Sequence, residues 1–546
     1  MRIGTSYKQH GCTGEYDAIV IGSGIGGLTT AALMATHADK RVLVLERHYT
    51  AGGFTHTFRR KGYEWDVGVH YIGEVHDERA EVRRVFDDIT DGQLKWADMG
   101  EVYDCIVIGE DKYDLVKGRK NFIAKLTEYF PEEEDNIKEY VRRVKQTIKD
   151  GQFYFLDKAL PGPVSAVLGP LLRRKAMKAS GQTVGEVLAE ITDNKRLRAV
   201  LAGQYGDYGL SPKDGSFFIH CMVVNHYFEG GAYPIGGSAR IAETILPVIE
   251  QAGGKVLTNA PVDEVIVKKG RAVGVRLEDG KELFAPVIIS NAGVVNTINR
   301  LLPEQVAKKY GFDQRVKNVE PSVAHMSLYI GSKKTASELN LEKRNLWVYP
   351  GEDHDASIEN FLADPDNNPL PVAYLSFPSA KDPSFEERYP GKATLEVVSL
   401  APFDWFKKWE DTKWKKRGDD YDALKEKYTQ RMLEALYKQC PQLEGNIDYL
   451  ELSTPLSTKT FASFASGEIY GLSHTPDRFK ELWLRPRTPI KGFYLTGVDI
   501  CSCGVAGGMF GGVLTASAVT LKDMRGAIIK RRASQDGRWN EPVPAG

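Results

Sequence analysis

The residues of this chain that most clearly bear on chemistry begin at a glycine cluster, Gly22-Ser23-Gly24-Ile25-Gly26-Gly27, followed 24 positions beyond Gly22 by Glu46. A glycine turn takes backbone angles closed to other residues and lets a pyrophosphate approach the main chain. A carboxylate at that spacing accepts hydrogen bonds from the hydroxyls of an adenosine ribose and disfavours a 2′-phosphate. An adenosine diphosphate group is therefore expected here. Further polar or reactive groups stand at Arg47 with Gly52-Gly53, at His70-Tyr71, at Gly497 with Asp499, and at Cys501 with Cys503. Histidine and tyrosine exchange protons near neutral pH when perturbed, so His70 and Tyr71 are candidate catalytic acids, with Tyr233 and His220 behind them. The other reading of His70 is a hydrogen bond to a cofactor or to main chain. The two cysteines are either a redox pair or small buried packing residues.

The elements that must position these groups surround them in sequence. Tyr16 to Ile21 is a short apolar run entering the glycine turn, LTTAALMATHA after the turn is a good helix former, and Arg41 to Leu45 is a second apolar strand ending at Glu46. The helix points unpaired N–H groups and the positive end of its dipole at the phosphates. Gly492 to Leu495 reads as a strand entering Thr496-Gly497-Val498-Asp499. Ile500 to Leu521 follows, 22 residues without a charge and long enough to cross a bilayer, but its five glycines suit a buried turn and helix better. In the middle of the chain, Lys255 to Val262 leads into alternating strands with a Lys-Gly and an Asp-Gly turn, a small antiparallel meander. Val323 to Ile330, Val372 to Phe377 and Thr394 to Leu400 read as strands of one further sheet, and Pro131 to Asp150 as an amphipathic helix.

With 546 residues, 42% hydrophobic and 27% charged, the chain is globular and long enough for two or three domains. Its 72 Lys plus Arg against 73 Asp plus Glu give a net charge of -1, so nothing draws it globally to nucleic acid. Six scattered cysteines make neither a disulfide framework nor a zinc site, and no metal is expected. Met1 to Tyr16 holds no apolar stretch, so a cytoplasmic protein is expected. Ala159 to Leu172 is 14 uncharged residues with three prolines, followed by Arg173-Arg174-Lys175. Residues 159–178 are therefore either a contact with the lipid interface or an ordinary surface loop, and Trp405, Phe406, Trp409 and Trp414 among lysines form a second such patch.

An acid followed by R-x-x-x-x-G-G, here Glu46 then Arg47 to Gly53, resembles flavoproteins of the amine oxidase and phytoene desaturase superfamily. Tyr63 to Gly73 (YEWDVGVHYIG), Gly203 to Leu210, Gly215 to Phe217, Tyr233 to Gly237, Ser453 to Ser457 and Tyr470-Gly471 resemble the branch of retinol saturases, carotenoid isomerases and phytoene desaturases. The likeness runs from Asp17 to about Leu521. It implies an α/β protein: a Rossmann-type FAD-binding domain (1–95, 230–320 and 485–525) interleaved with an α+β substrate domain (96–229 and 321–484) and a tail at 526–546. It implies FAD, with contacts at Phe54, Thr55, Gly68, Val69 and His70, backbone near Val262 against the adenine, Asp499 on the ribityl or pyrophosphate region, and Gly507, Gly508 and Met509 beside the flavin ring. It implies hydrogen added or removed across C–C bonds of a long polyene, isoprenoid or fatty acyl chain held in a hydrophobic tunnel. No second GxGxxG of comparable quality is present, so the electron donor or acceptor is expected to be a transiently docking partner. The secretory or anchoring segment of vertebrate retinol saturases has no counterpart here, which favours a soluble protein, or one peripheral on the inner membrane face. The rival expectations are an amine-oxidase-like flavoenzyme and a non-catalytic lipid- or prenyl-binding protein of the same fold, like the Rab escort and dissociation-inhibitor proteins.

Overall fold

Ala18–Ile21 and Val42–Leu45 are apolar at every position because both faces of their sheet are covered. In the computed structural model, which describes residues 2–533, these strands are central in a six-stranded sheet. Its order is Thr5–Ser6, Lys255–Thr258, Val42–Leu45, Ala18–Ile21, Val287–Ser290, Phe493–Leu495, with every neighbouring pair parallel. Ala18, Val20, Val42, Val44 and Ile289 turn to one face, where the helices Ile25–Ala38, Ala239–Gln251 and Gly504–Thr520 bury them. Ile19, Ile21, Leu43, Leu45 and Ile288 turn to the other, onto the meander of Val262–Lys268, Arg271–Leu277 and Glu282–Phe284. The three distant stretches of chain thus join one three-layer domain.

The second sheet is mixed and seven-stranded, in the order Tyr449–Ser453, His325–Ser332, Ala393–Leu400, Ala373–Ser376, Asn345–Tyr349, Val102–Ile108, Asp111–Val116. The hairpin Thr57–Arg60 and Tyr63–Asp66 ties the two halves, because the Trp65 indole donates to the Ile330 carbonyl at 2.9 Å. A helical layer holds Glu134–Ala159, Gly162–Ser180 and Phe217–Tyr227.

Several sequence expectations change in detail. The helix expected over 131–150 begins with a single 3-10 turn, Pro131–Glu133, and then runs on to Ala159. The proline-bearing uncharged stretch is a helix, Gly162–Ser180, rather than a loop: Pro161 and Pro163 sit at its start, where a missing N–H costs nothing, and Pro170 alone is interior. The expected tail begins inside a helix, Met524–Ala533, which packs Met524 and Ile528 into the core; residues 534–546 lie outside the described region. Among the described residues no single helix is long and apolar enough to cross a membrane. The uncharged stretch after Asp499 is the helix Gly504–Thr520, whose glycines carry it against Ile25–Ala38: a Cβ at Gly511 would overlap the Gly497 carbonyl, and one at Gly512 would lie 2.6 Å from Thr29 Cβ.

Candidate active site

A cavity of about 1560 Å³ runs from the end of Ala18–Ile21 to the inner face of the second sheet, with walls from all three segments of the sheet domain. It exceeds the several hundred Å³ typical of a single small-molecule site, so a dinucleotide and a second molecule fit together.

At one end, Glu46 is held in place by three donors. Its Oε2 accepts from the Ser23 amide at 2.9 Å and the Ser23 hydroxyl at 2.7 Å, and its Oε1 accepts from the His48 amide at 2.7 Å. The Gly52 amide donates to Ser23 Oγ at 3.1 Å, so the two glycine motifs are fastened through one serine. Oε1, which accepts one bond, keeps lone-pair capacity toward the cavity that Glu46 lines. Gly22 has φ +94°, and a Cβ on Gly26 would stand 2.5 Å from the Gly497 Cα, so only glycine allows this approach of the first and last segments. Gly24 caps the helix Ile25–Ala38 without a side-chain bond, leaving first-turn N–H groups open to an anion. Gly24, Gly26, Arg47, Gly52, Gly53, Phe54, Thr55, Gly68 and Val262 line the cavity. These features fit the diphosphate and ribose of FAD.

Asn291 went unmarked in the sequence. It follows the strand Val287–Ser290, its amide donates to the Ile21 carbonyl at 2.8 Å, and its side chain lies within 2.9 Å of where a Gly24 Cβ would stand. Only the pairing of that strand with Ala18–Ile21 brings it there.

Asp499 also reaches the cavity, but both its oxygens hold main chain: Oδ2 accepts from the Val294 amide at 2.6 Å and Oδ1 from the Leu472 amide at 2.9 Å. It therefore knits three stretches at the flavin end, beside the uncapped N-terminus of Gly504–Thr520. Gly497, Gly504 and Gly508 share this wall.

Other expected contacts lie behind the walls. Ser23 and Gly27 are buried supports: Gly27 leaves room for the Gly22 carbonyl. Gly507 packs on the Ser502 carbonyl, and Met509 and Val69 are core residues, because the helix and the strand-like run alternate wall with core. Cys501 and Cys503 are buried free thiols off the wall, and burial pushes Cys503 up to about 12, which suits packing and not redox exchange. His220 sits between the hydroxyls of Tyr140 (2.8 Å) and Tyr208 (3.3 Å), held by burial down at about 3, and Tyr233 donates to buried Asp66; neither faces the cavity.

At the second end the wall is aromatic and aliphatic, with Tyr205, Trp347, Tyr374, Ile358, Leu362 and Val398. His70 is on it, its ring 5.0 Å from Tyr374. Its Nδ1 lies 3.5 Å from Glu396 Oε2 and makes no hydrogen bond. Burial, then the nearby Lys381 and His325 charges, pushes it down to about 3, so at neutral pH it is a neutral imidazole without a proton to spare as an acid. Tyr71 is off the wall. It stacks on Tyr227 at 4.1 Å, and its hydroxyl lies 2.8 Å from Asp104 Oδ2 and 3.0 Å from Oδ2 of Asp207, which is on the wall and which sequence reasoning missed. Lys381 links the two histidine and aspartate groups. Its ammonium donates to the His70 carbonyl at 2.9 Å and to Asn345 Oδ1, while Asn345 Nδ2 donates to Asp104 at 2.9 Å. Burial pushes Lys381 down to about 7.

The profile of the flavin containing amine oxidoreductase family matches residues 25–520. All-trans-retinol 13,14-reductase of Danio rerio is 38% identical over 528 residues, 93% of this chain and 87% of that protein. The chloroplastic prolycopene isomerase of Arabidopsis thaliana is 27% identical over 94% of this chain and 84% of its own length. Among solved structures, putrescine oxidase bound to putrescine superposes with a TM-score of 0.60 at 15% identity, covering 94% of this chain and 100% of its own, a likeness of fold.

Proposed function

The chain belongs to the flavin containing amine oxidoreductase family and is an FAD-dependent oxidoreductase acting on carbon–carbon double bonds, and from that premise we propose that it saturates one such bond in a long polyene of the retinoid or carotenoid class. The observation that carries this reading is the aromatic and aliphatic extension of the cavity beyond the flavin end, continuous with a wall whose polar groups near the second sheet include Asp207, His70, His325, Ser327 and Ser399. The relatedness to the retinol 13,14-reductase and to the prolycopene isomerase supports the polyene over an amine, for which a cation-binding cage would be needed.

When bound, reduced FAD supplies a hydride through its ring nitrogen. The residues of the chain do the rest. Glu46 orients the ribose, and the turn Gly22 to Gly27 with the helix behind it receives the diphosphate. The N–H groups opening Gly504–Thr520 favour negative charge on the ring system. Trp347, Tyr374 and Tyr205 flatten the polyene against the reacting end and keep water out. Incubating dithionite-reduced holoenzyme anaerobically with all-trans-retinol is expected to yield a product heavier by two mass units. An enzyme that leaves polyenes unchanged but releases peroxide from amines would show the reading to be wrong.

The lipid contact belongs to the same proposal. Phe153, Leu156, Val164, Val167, Leu168 and Leu171 are exposed on two adjacent helices, Val167 at 78% and Leu171 at 75%, beside exposed Arg174, Lys175 and Lys178. An apolar ridge rimmed by cations fits an anionic lipid surface. Sedimentation with anionic vesicles is expected to carry the wild type down and to leave the double variant Val167→Asp, Leu171→Asp in solution with an unchanged Tm; equal sedimentation of both would contradict it.

A further inference from the structure

We infer that Asp207 delivers the proton that completes saturation of the double bond, with Tyr71 and Asp104 as its positioning residues; the inference rests on the reading of the protein as a reductase of polyenes. Asp207 ends the short turn Tyr205–Asp207 and presents its side chain at the cavity wall, half-buried. The Tyr71 hydroxyl stands between two carboxyls, 2.8 Å from Asp104 Oδ2 and 3.0 Å from Asp207 Oδ2. A phenol has one hydrogen. Two carboxylates cannot both accept it, so one of the two acids carries its own proton and donates to the phenol oxygen.

The surroundings say which. Asp104 is fully buried and accepts two other hydrogen bonds, from Asn345 Nδ2 at 2.9 Å and Gln204 Nε2 at 2.8 Å, which leaves it the better-solvated anion. Among the described residues Tyr71 is the one hydrogen-bond partner of the Asp207 carboxyl, and no cation pairs with it. The groups that face Asp207 from the packed elements are Tyr227, Tyr374, Tyr470, Tyr208, Tyr349 and the Cys503 thiol, whose Sγ lies 3.6 Å from the Asp207 carbonyl; burial pushes all six upward, so none is charged near neutral pH. Lys381 reaches Asp104 through Asn345 and makes no hydrogen bond to Asp207. Burial first and the Asp104 charge second push Asp207 well above the usual carboxylate range, whereas Asp104 is pushed only to about 6. The pair behaves as one coupled acid holding a shared proton, with the proton on the cavity side.

The step balances. One carbon of the C=C bond takes the hydride from FAD, the other takes the Asp207 proton, the π bond is replaced by two C–H bonds, and FAD is left oxidised by two electrons. The Asp207 carboxylate regains its proton from water when product leaves, and a two-electron reductant, dithionite in the assay, restores the cofactor. His70 does not compete for this role, since it has no imidazolium proton to give.

The test compares wild-type and Asp207→Asn holoenzymes, each shown to be folded by its flavin absorption. Infrared spectra of the substrate-free proteins at pH 7.5 are expected to show a carboxylic acid C=O stretch in the wild type that Asp207→Asn lacks. In Asp104→Asn that band is expected to disappear at lower pH, because the like charge is gone. The dithionite-driven saturation rate of Asp207→Asn is expected to fall about 100-fold or more, the usual worth of a general acid, with partial recovery in Asp207→Glu. Superimposable infrared spectra, or an Asp207→Asn rate equal to the wild type on a polyene the wild type reduces, would overturn the assignment. A wild type that reduces no polyene would instead overturn the functional reading, and the assignment with it, whatever the infrared band does.

Discussion

Glu46 and His220 show two ways in which burial sets the behaviour of a single side chain. Ser23 and His48 donate three hydrogen bonds to the Glu46 carboxyl group and fix its place. In Glu46→Gln the ribose hydroxyls of FAD meet a neutral amide in place of a carboxylate, and a charge-assisted bond is worth about 1.5–3 kcal/mol, so FAD affinity should fall by about 10- to 100-fold, read by titrating apoprotein with FAD. His220 is held neutral, its folded pKa at about 3 against an ordinary value of 6.5. The unfolded chain therefore binds the extra proton first, and the stability that neutral His220 contributes is present above pH 6.5 and lost as pH falls toward 3. The unfolding free-energy advantage of the wild type over His220→Gln should be larger at pH 7.5 than at pH 5, changing by up to about 1.4 kcal/mol per pH unit and read by denaturant titration at the two pH values.

The helix Gly504–Thr520 lies close against Ile25–Ala38 because Gly508 and Gly512 present no side chain, and Gly511 does the same toward Gly497. Gly511→Ala would put a methyl group into the Gly497 carbonyl, which cannot swing aside, and overpacking of this kind costs about 1–3 kcal/mol. A lower Tm with loss of bound flavin is expected, since Gly497 also fits against Gly26. Gly504→Ala meets nothing within 4 Å and bears only the strain of φ +76°, so its Tm should drop by less. The hairpin of Glu134–Ala159 with Gly162–Ser180 is the contrasting element, since its outward face is apolar and open.

For the whole molecule, three separated segments meet in one sheet and share one cavity, so FAD bound there joins segments that folding must otherwise hold by packing alone. Holoprotein should be more stable than apoprotein by about 2.7 kcal/mol when free FAD stands at 100 times its Kd, seen as a Tm that rises with FAD concentration. A Tm indifferent to FAD would mean that the cavity end at Glu46 is not a binding site.

What the sequence determined by itself was local and periodic: the strand–glycine–helix start, the acid at Glu46, the strand into Asp499 and the meander are each set by residue type within a few positions. Even there its reach stopped at the face a side chain takes, so Val69 and Met509 went to the core while Gly68 and Gly508 went to the cavity. Asn291 and Asp104 carried no local signature, and Asp207 stood in the stretch Gly203 to Leu210 with no role attached, because their roles come from strand pairing and from long-range packing around one phenol hydroxyl. Only the tertiary structure decided which acid keeps its proton, since that depends on how many donors and how little water each carboxyl meets once distant segments have closed around it.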